Sequence, residues 1–385
     1  MRVGLIQELR VSSSYRNPEY LYEPLQKASV NSLTRLDKVF SDTMALQRRM
    51  RERFAPEVYA AGFSSWKKPI VRTFFSGSAV RFELRPQDAP AGATVATWGM
   101  RPAVEGRQTV RMEDGFLRSV GLGASLVRPL SWVMNRSGLY YYATAASDLE
   151  VLLQTTIFDD ALLARARALR ERIVAVGLTK YNVGQGNWQR PAGDERVVLV
   201  PGQVESDASL AHGAPGVRTN IGLLQAARAA NPDAYLIYKP HPDVVAGLRK
   251  RGQGESEAHC LCDQVVSNLS ISTLLDQVDA VHVMTSLTGF EALLRGKQVR
   301  CEGLPFYAGW GLTDDSHVCP RRLRRLTLDA LIAGALILYP AYVSQVTSHF
   351  TTPERALEEL LDWRASGPKN LPLWRRALRW LYRAF

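Results

Sequence analysis

Short apolar runs, each ending in a polar or glycine-containing turn, recur along this chain, and helical periodicity fills the intervals between them. Val281–Met284 is one such run, of the kind a buried parallel strand shows. Thr285, Ser286, Thr288 and Gly289 follow it. Phe290–Arg295 has helical spacing, Gly296 stops that helix, and Val299–Cys301 reads as the next strand. The same grammar appears at Arg196–Val200, which runs into Pro201-Gly202-Gln203-Val204-Glu205-Ser206-Asp207, and at Tyr235–Tyr238, capped by Lys239-Pro240-His241-Pro242-Asp243. In the first half, Ala93–Trp98 ends in Gly99, Thr109–Met112 runs into Glu113-Asp114-Gly115, and Leu139–Ala143 continues strand-like. Helical patterns cover Leu46–Phe54, Asp148–Val176, Asn220–Ala230, Ser270–Val278, Thr327–Leu338 and Pro353–Trp363, and Gln87–Gly92 reads as a loop. This alternation predicts an α/β chain with two doubly wound, Rossmann-like domains facing a cleft. The expected parts are an N-terminal helical extension (1–60), a first Rossmann-like domain (61–190), a second (191–345) and C-terminal helices (346–385). The main boundary is placed at Lys180-Tyr181-Asn182 and the Gly/Pro-rich stretch to Gly193.

Composition narrows the class. A chain of 385 residues that is 46% hydrophobic supports two ordinary cores. No run approaches the ~20 apolar residues of a membrane-spanning helix, and the N-terminus lacks the pattern of a secretory signal. Cys260, Cys262, Cys301 and Cys319 are scattered, and Cys260-Leu-Cys262 is too tight for a zinc knuckle without a second pair. The expectation is a reduced, cytosolic protein without a structural metal. A net charge of +11 suits an anionic partner: nucleotide, acidic sugar, lipid headgroup or nucleic acid. Nucleic acid ranks last, because no reading motif is present. Lys369, Arg375, Arg376, Arg379 and Arg383 alternate with Leu371, Trp374, Trp380 and Tyr382 in the tail. That pattern fits the surface of an anionic bilayer, and equally a last helix docked on the protein. Neither a P-loop nor a strong dinucleotide fingerprint occurs. No Asp-x-Asp occurs either, so a bound nucleotide's phosphate is expected to be neutralised by Lys, His and helix N–H groups without a metal.

Three constellations carry candidate chemistry. Strand, hydroxyl-rich turn and helix start at Thr285–Glu291 make an anion pocket, with Glu291 in the first helical turn, where a carboxylate can take two sugar hydroxyls. The same residues also read as an ordinary turn with a capped helix. Prolines on both sides fix His241 beside Lys239, a pair able to hold a phosphate; a core histidine bonded to a carbonyl is the other reading. Glu113 and Asp114, with Arg118 close by, form either an acid/base site at a strand's carboxyl end or capping acids at a helix start.

Several stretches resemble, nearly word for word, the C-terminal catalytic module of KpsC-type capsule Kdo transferases. They include W-K-K at Trp66–Lys68, R-M-E-D-G-F-L-R-S at Arg111–Ser119, V-G-L-G at 120–123, S-D-L-E-V-L-L at Ser147–Leu153 and K-Y-N at 180–182. L-V-P-G-Q-V-E-S-D-A-S at Leu199–Ser209, Y-K-P-H-P-D-V at Tyr238–Val244, M-T-S-L-T-G-F-E-A-L-L at Met284–Leu294 and G-L-P-F-Y-A-G-W-G-L-T at Gly303–Thr313 complete the set, which runs in order from about Leu46 to Tyr342. The resemblance implies a GT-B-like glycosyltransferase with CMP-β-Kdo as donor, no metal cofactor, and retention of the β configuration through a covalent Kdo–enzyme intermediate. It implies an acceptor built of Kdo on lyso-phosphatidylglycerol, at the cytoplasmic face of the inner membrane where the protein would be peripheral, and, by these motifs, a β-2,7 linkage. Carried onto this sequence, Asp207 is the expected nucleophile and Glu113 the expected base, with Asp114 in reserve. His241 and Lys239 would hold the CMP phosphate, helped by Thr285, Ser286 and Thr288, and Glu291 would grip the ribose. Arg118, Gln203 and Tyr181 are candidates for Kdo contacts, and Tyr307–Gly311 for the cleft lining. Family members usually carry two modules and this chain shows one, with Leu33–Phe54 resembling a linker between modules. The complementary linkage is then expected from another chain, such as a second Kdo transferase of the capsule system, unless the glycan differs. A sugar-nucleotide epimerase of similar architecture and a non-catalytic adaptor that binds the glycolipid for export are the competing classes.

Overall fold

A computed structural model describes residues 30–120, 127–180, 186, 188–193 and 195–366. The chain divides into two compact units, Met1–Arg49 and Met50–Phe385. The first contributes most of a long helix, α1 (Val30–Arg51). The second holds two sheets and the helices around them.

The first sheet is built from β1 (Glu57–Ala61), β2 (Ala79–Glu83), β3 (Thr94–Trp98), β4 (Gln108–Asp114) and β5 (Ser131–Asn135), with α2 (Lys68–Phe74) between β1 and β2. After β5 come α3 (Asp148–Thr155) and α4 (Asp160–Ala175). The second sheet follows as β6 (Val197–Pro201), β7 (Tyr235–Lys239), β8 (Gln264–Val265), β9 (Ala280–Val283), β10 (Gln298–Cys301) and β11 (Asp314–Asp315). Its helices are α5 (Ala208–Gly213), α6 (Asn220–Ala230), α7 (Pro242–Val245), α8 (Ile271–Gln277) and α9 (Leu287–Leu294). α10 (Leu328–Ile332) continues as a π-helical stretch, Ala333–Leu338. The chain then returns to the first sheet as β12 (Ala341–Val343) and β13 (Phe350–Thr351) and ends its described part in α11 (Pro353–Ala365).

Among the described residues the second sheet is all parallel, in the order β11-β10-β9-β6-β7-β8. Parallel strands covered on both faces read as continuous apolar runs, and every residue of β6 is buried. Alternate side chains go to opposite cores: Val197, Leu199, Ile237, Val281 and Val283 to one, Val198, Val200, Leu236, Tyr238 and Ala280 to the other. The first sheet, ordered β13-β12-β5-β4-β3-β1-β2, is parallel from β2 to β4 and antiparallel beyond. In each sheet the chain winds one way and then the other. The switch lies between β6 and β9 in one and between β1 and β3 in the other, the places where open α/β sheets leave a crevice at their carboxyl ends.

Several sequence expectations need correction. β5, missed in the sequence, is a fully buried strand. Leu139–Ala143, expected as a strand, is a run of turns in which Tyr140 packs on Tyr141, Phe116 and Phe306. The long helix expected over Asp148–Val176 breaks into α3 and α4, because the Asp159 carboxylate caps α4 by accepting from Leu162 N at 2.8 Å. α9 starts at Leu287, three residues earlier than its apolar spacing suggested, because Ser286 is its cap and Gly289 lies inside it. A side chain at Gly289 would collide with the Tyr307 hydroxyl.

The buried Arg322 ties the loop after β10 to α3. Its guanidinium donates to Pro305 O (2.5 Å), Ala308 O (2.7 Å) and Glu150 Oε2 (3.0 Å), and Arg321 takes Glu150 Oε1 at 2.7 Å. The Arg322 and Glu150 side chains are only 3% and 5% exposed, so removing the carboxylate leaves a buried cation without its counter-charge. Glu150→Ala is expected to cost about 3 kcal/mol or more. Glu354→Ala, which breaks the exposed pair with Arg165, should cost no more than about 1 kcal/mol. Urea denaturation of both variants checks the contrast.

Candidate active site

The carboxyl ends of both sheets line one cavity of about 640 Å³. From the second sheet come the exits of β6, β7 and β9. From the first come Trp98 at the end of β3 and Glu113 near the end of β4, joined by Tyr140, Tyr141 and Lys180.

The exit of β6 is fixed from two sides. Gln203 N donates to Asn220 Oδ1 and Asn220 Nδ2 donates to Gln203 O, both at 2.9 Å. The Gln203 side chain crosses the switch point: Thr285 N donates to its Oε1 (2.8 Å) and its Nε2 donates to Thr285 Oγ1 (3.1 Å). Of the two acids that follow, Glu205 is taken up by backbone, accepting from Asn220 N (2.8 Å) and Gln253 N (3.0 Å). Asp207 stands at the cap of α5 yet makes no capping hydrogen bond. It lies on the cavity wall, with the Arg249 guanidinium 3.8 Å from Oδ1. Burial raises its carboxyl, opposed by Arg249 and Lys180.

At the exit of β7, Lys239 is buried and donates to Ser267 O at 3.3 Å. Burial alone holds its ammonium down to about 8. His241 caps α7 by accepting at Nδ1 from Asp243 N at 3.1 Å, so the neutral ring carries its proton on Nε2. Burial, then Lys180, Arg249 and Lys239, lower the imidazole to about 4. At neutral pH His241 is therefore a neutral donor, whereas Lys239 stays largely cationic. At the exit of β9, Ser286 caps α9 by accepting from Thr288 N at 3.2 Å, and the Tyr307 hydroxyl donates to Ser286 O.

Facing these groups, Glu113 accepts from Asp114 N at 3.0 Å and is bonded by the Tyr141 hydroxyl. Burial and the neighbouring Asp114 charge push it up to about 7, against the pull of Lys67 and Lys180. A carboxyl that half-ionises near neutrality is suited to accept a proton.

The cavity thus collects Asp207, Glu113, His241, Lys239, Thr285, Ser286, Thr288, Glu291 and Gln203. Asp114 and Arg118 pair with each other instead, Nε to Oδ2 at 2.5 Å, and Trp132 Nε1 donates to Asp114 Oδ1 at 3.2 Å. Glu291 sits a turn deeper in its helix than the sequence suggested and accepts from Lys180 N at 2.7 Å. The Tyr307–Gly311 segment is held as wall support: Trp310 Nε1 donates to Phe306 O (2.8 Å) and Gly309 N to Asp315 Oδ2 (2.8 Å), while Pro305 and Phe306 reach the cavity. Tyr181 and the basic tail at 369–385 lie outside the described residues. Sequence reading did not single out Lys180, Arg249, Tyr141 or Lys67. The first and last lie inside quoted motifs, whereas Arg249 and Tyr141 carried no motif signal. Among the described residues no group of His, Cys, Asp and Glu could hold a metal, and no helix is long and apolar enough to cross a membrane.

Fold and site define an α/β protein with a cavity lined by cations and hydroxyls and flanked by two acids in different environments. Comparison with known proteins makes the assignment specific. Residues 100–350 match the family of capsule polysaccharide biosynthesis proteins, and the chain belongs to that family. Similar solved structures include two from Thermosulfurimonas dismutans. The KpsC β-Kdo 2,7 transferase is 38% identical, with a TM-score of 0.68 over 80% of this chain and 99% of that one. The KpsC β-Kdo 2,4 transferase is 31% identical, with a TM-score of 0.71 over the same shares. The capsule polysaccharide modification protein LipA of Neisseria meningitidis serogroup A is 40% identical over 370 residues, 89% of this chain and 52% of LipA. The chain therefore spans about half the length of that relative.

The raised carboxyl of Glu113 has a consequence for stability. Between its ordinary 4.5 and about 7, the folded protein keeps a proton that the unfolded chain has lost. Stability therefore falls as pH rises through that window. Glu113→Gln removes this titration, so its stability relative to the parent protein should improve steadily from pH 4.5 to pH 7. Thermal melts across that range check it; a pH-independent difference contradicts the assigned environment.

Proposed function

We propose that the chain is a retaining β-Kdo transferase that moves Kdo from CMP-β-Kdo to a Kdo-terminated glycolipid, with the two sheets as the lobes of a GT-B-like enzyme. The observation that carries this reading is the meeting of Asp207, Glu113 and His241 on one cavity, in a chain 38% identical to the β-Kdo 2,7 transferase. That identity, higher than to the 2,4 enzyme, favours the β-2,7 linkage.

The chemistry follows from the two walls. The donor brings two anions, the sugar carboxylate and the phosphate, and the cavity answers with Lys239, Lys180, Arg249 and the hydroxyl turn. An Asp207 oxygen attacks the anomeric carbon, and the bond from that carbon to the phosphate oxygen breaks. CMP departs with the electron pair, met by the Lys239 ammonium, the His241 Nε2–H and the donors at Thr285, Ser286 and Thr288. Glu113 then takes the proton of an acceptor hydroxyl, whose oxygen attacks the same carbon and releases the Asp207 carboxylate. Two inversions give retention. Asp207 suits the first role because no backbone cap takes its oxygens, unlike Glu205. Glu113 suits the second because its environment lets it bind a proton near neutral pH. Glu291 steadies the segment carrying Lys180, leaving its second oxygen for a ribose hydroxyl. Gln203 holds the donor loops, and Asp114 and Arg118 brace the Glu113 strand. A glycolipid acceptor places the protein at the inner membrane surface, without a spanning helix of its own, where other capsule proteins would supply the complementary linkage.

Incubation with CMP-Kdo and a soluble β-Kdo acceptor should release CMP and lengthen the acceptor by one Kdo. Glu113→Gln should lower kcat about 10²–10⁴-fold, and Asp207→Ala should abolish transfer. Equal turnover by Asp207→Ala and the parent protein would reject the reading, and so would CMP release with no acceptor-linked product.

A further inference from the structure

The donor places a constraint on Asp207 that the scheme above leaves open. The carbon under attack carries the sugar's own carboxylate. At the start of attack the Asp207 oxygen stands about 3–3.5 Å from that carbon, and the carboxylate is bonded to the same carbon at about 1.5 Å. Oxygens of the two carboxylates are then roughly 3–4 Å apart. Like charges at that separation repel, and each disfavours the ionised form of the other. A cation beside both removes the conflict.

Arg249 is in that position. It lines the cavity, and its Nη2 lies 3.8 Å from Asp207 Oδ1. That is ion-pair range without a hydrogen bond, so neither group is used up by the other. Both side chains are accessible, Arg249 at 50% and Asp207 at 40%. The backbone fixes the place of the arginine. Asp243 O accepts from Leu248 N (2.8 Å) and Arg249 N (3.1 Å), and Gly247 makes the turn at φ 69°. Asp243 N donates to His241 Nδ1 at the other end of the same residue, so His241 and Arg249 are anchored together. Lys239, two residues before His241, is bonded to Ser267 O at 3.3 Å. A guanidinium suits the task, because its planar fork carries several N–H donors. One edge can take a carboxylate through two parallel bonds while another faces Asp207.

We infer that Arg249 binds the carboxylate on the donor's anomeric carbon and so selects donors that carry an acid there over those that do not. The phosphate is left to Lys239, His241 and the hydroxyl turn. The inference rests on the Kdo-transferase reading of the same cavity, with Asp207 as the attacking group.

The test is titration calorimetry in an Asp207→Ala background, where the donor is not consumed, with and without Arg249→Met. Three ligands are compared: CMP-Kdo, CMP-Kdo with its sugar carboxylate converted to the carboxamide, and CMP. With Arg249 present, CMP-Kdo should bind about tenfold or more tightly than the carboxamide, as a charge-assisted pair gives. Arg249→Met should abolish that preference while CMP binds both proteins within about twofold. Equal weakening of CMP and CMP-Kdo would put Arg249 on the phosphate and overturn the inference. A preference for the acid over the amide that survives Arg249→Met overturns it as well. Should the Arg249→Met chain not fold, Arg249→Gln, which also removes the charge, is read by the same two ratios. No binding of CMP or CMP-Kdo by the protein that keeps Arg249 would instead strike at the functional reading itself.

Discussion

The site depends on a bridge across the switch point of the second sheet. Strands β6 and β9 carry the chain away in opposite directions, and the crevice between their ends is where a ligand can enter. Gln203 spans it with two hydrogen bonds to Thr285, while Asn220 holds the Gln203 backbone. Each bond contributes only about 1 kcal/mol net. Because Gln203 is 6% exposed, losing a partner would also strand a buried amide. The geometry is thereby fixed before any ligand arrives: one loop delivers Asp207, the other the hydroxyl turn, and their separation cannot drift independently.

Around that bridge, environment divides chemically similar groups between jobs. Glu205 and Asp207 are two residues apart, yet only Glu205 is tied into backbone. Glu113 and Asp114 are adjacent, yet Asp114 is locked to Arg118 and Trp132 whereas Glu113 reaches the cavity. Burial, then the surrounding cations, keep His241 neutral, and because its Nδ1 accepts a backbone bond it can donate at Nε2 without adding charge. The cations are distributed over Lys239, Lys180 and Arg249, on different segments around the cavity.

The sequence made the second sheet legible because its strands are uninterrupted apolar runs with glycine, proline or hydroxyl residues at their ends. Asn220–Ala230 was read with the helix's own limits. The first sheet was harder to read. β1 ends in two alanines, and β2 mixes Arg and Glu with apolar residues and has no fully buried position, so neither stands out by composition. Tyr140 and Tyr141 look like strand residues but occupy turns, where the Tyr140 ring packs on Phe116 and Phe306 and the Tyr141 ring on Tyr140. Motifs marked Asp207, Glu113, His241 and the hydroxyl turn. They could not mark Arg249, whose relevance comes only from a 3.8 Å approach across the chain. Nor could local sequence show that Arg118 pairs with Asp114, whose other oxygen is taken by Trp132 of β5.

The central claim is covalent: Asp207 is joined to the sugar between the two displacements. Mixing the protein with CMP-Kdo in the absence of acceptor, quenching in acid, and weighing the intact protein and its peptides tests it directly. A gain of one Kdo residue, confined to the peptide that contains Asp207 and lost when acceptor is added before the quench, is the predicted result. Donor consumed in the presence of acceptor with the protein mass unchanged at every time point, or an adduct mapped to another residue, would contradict it.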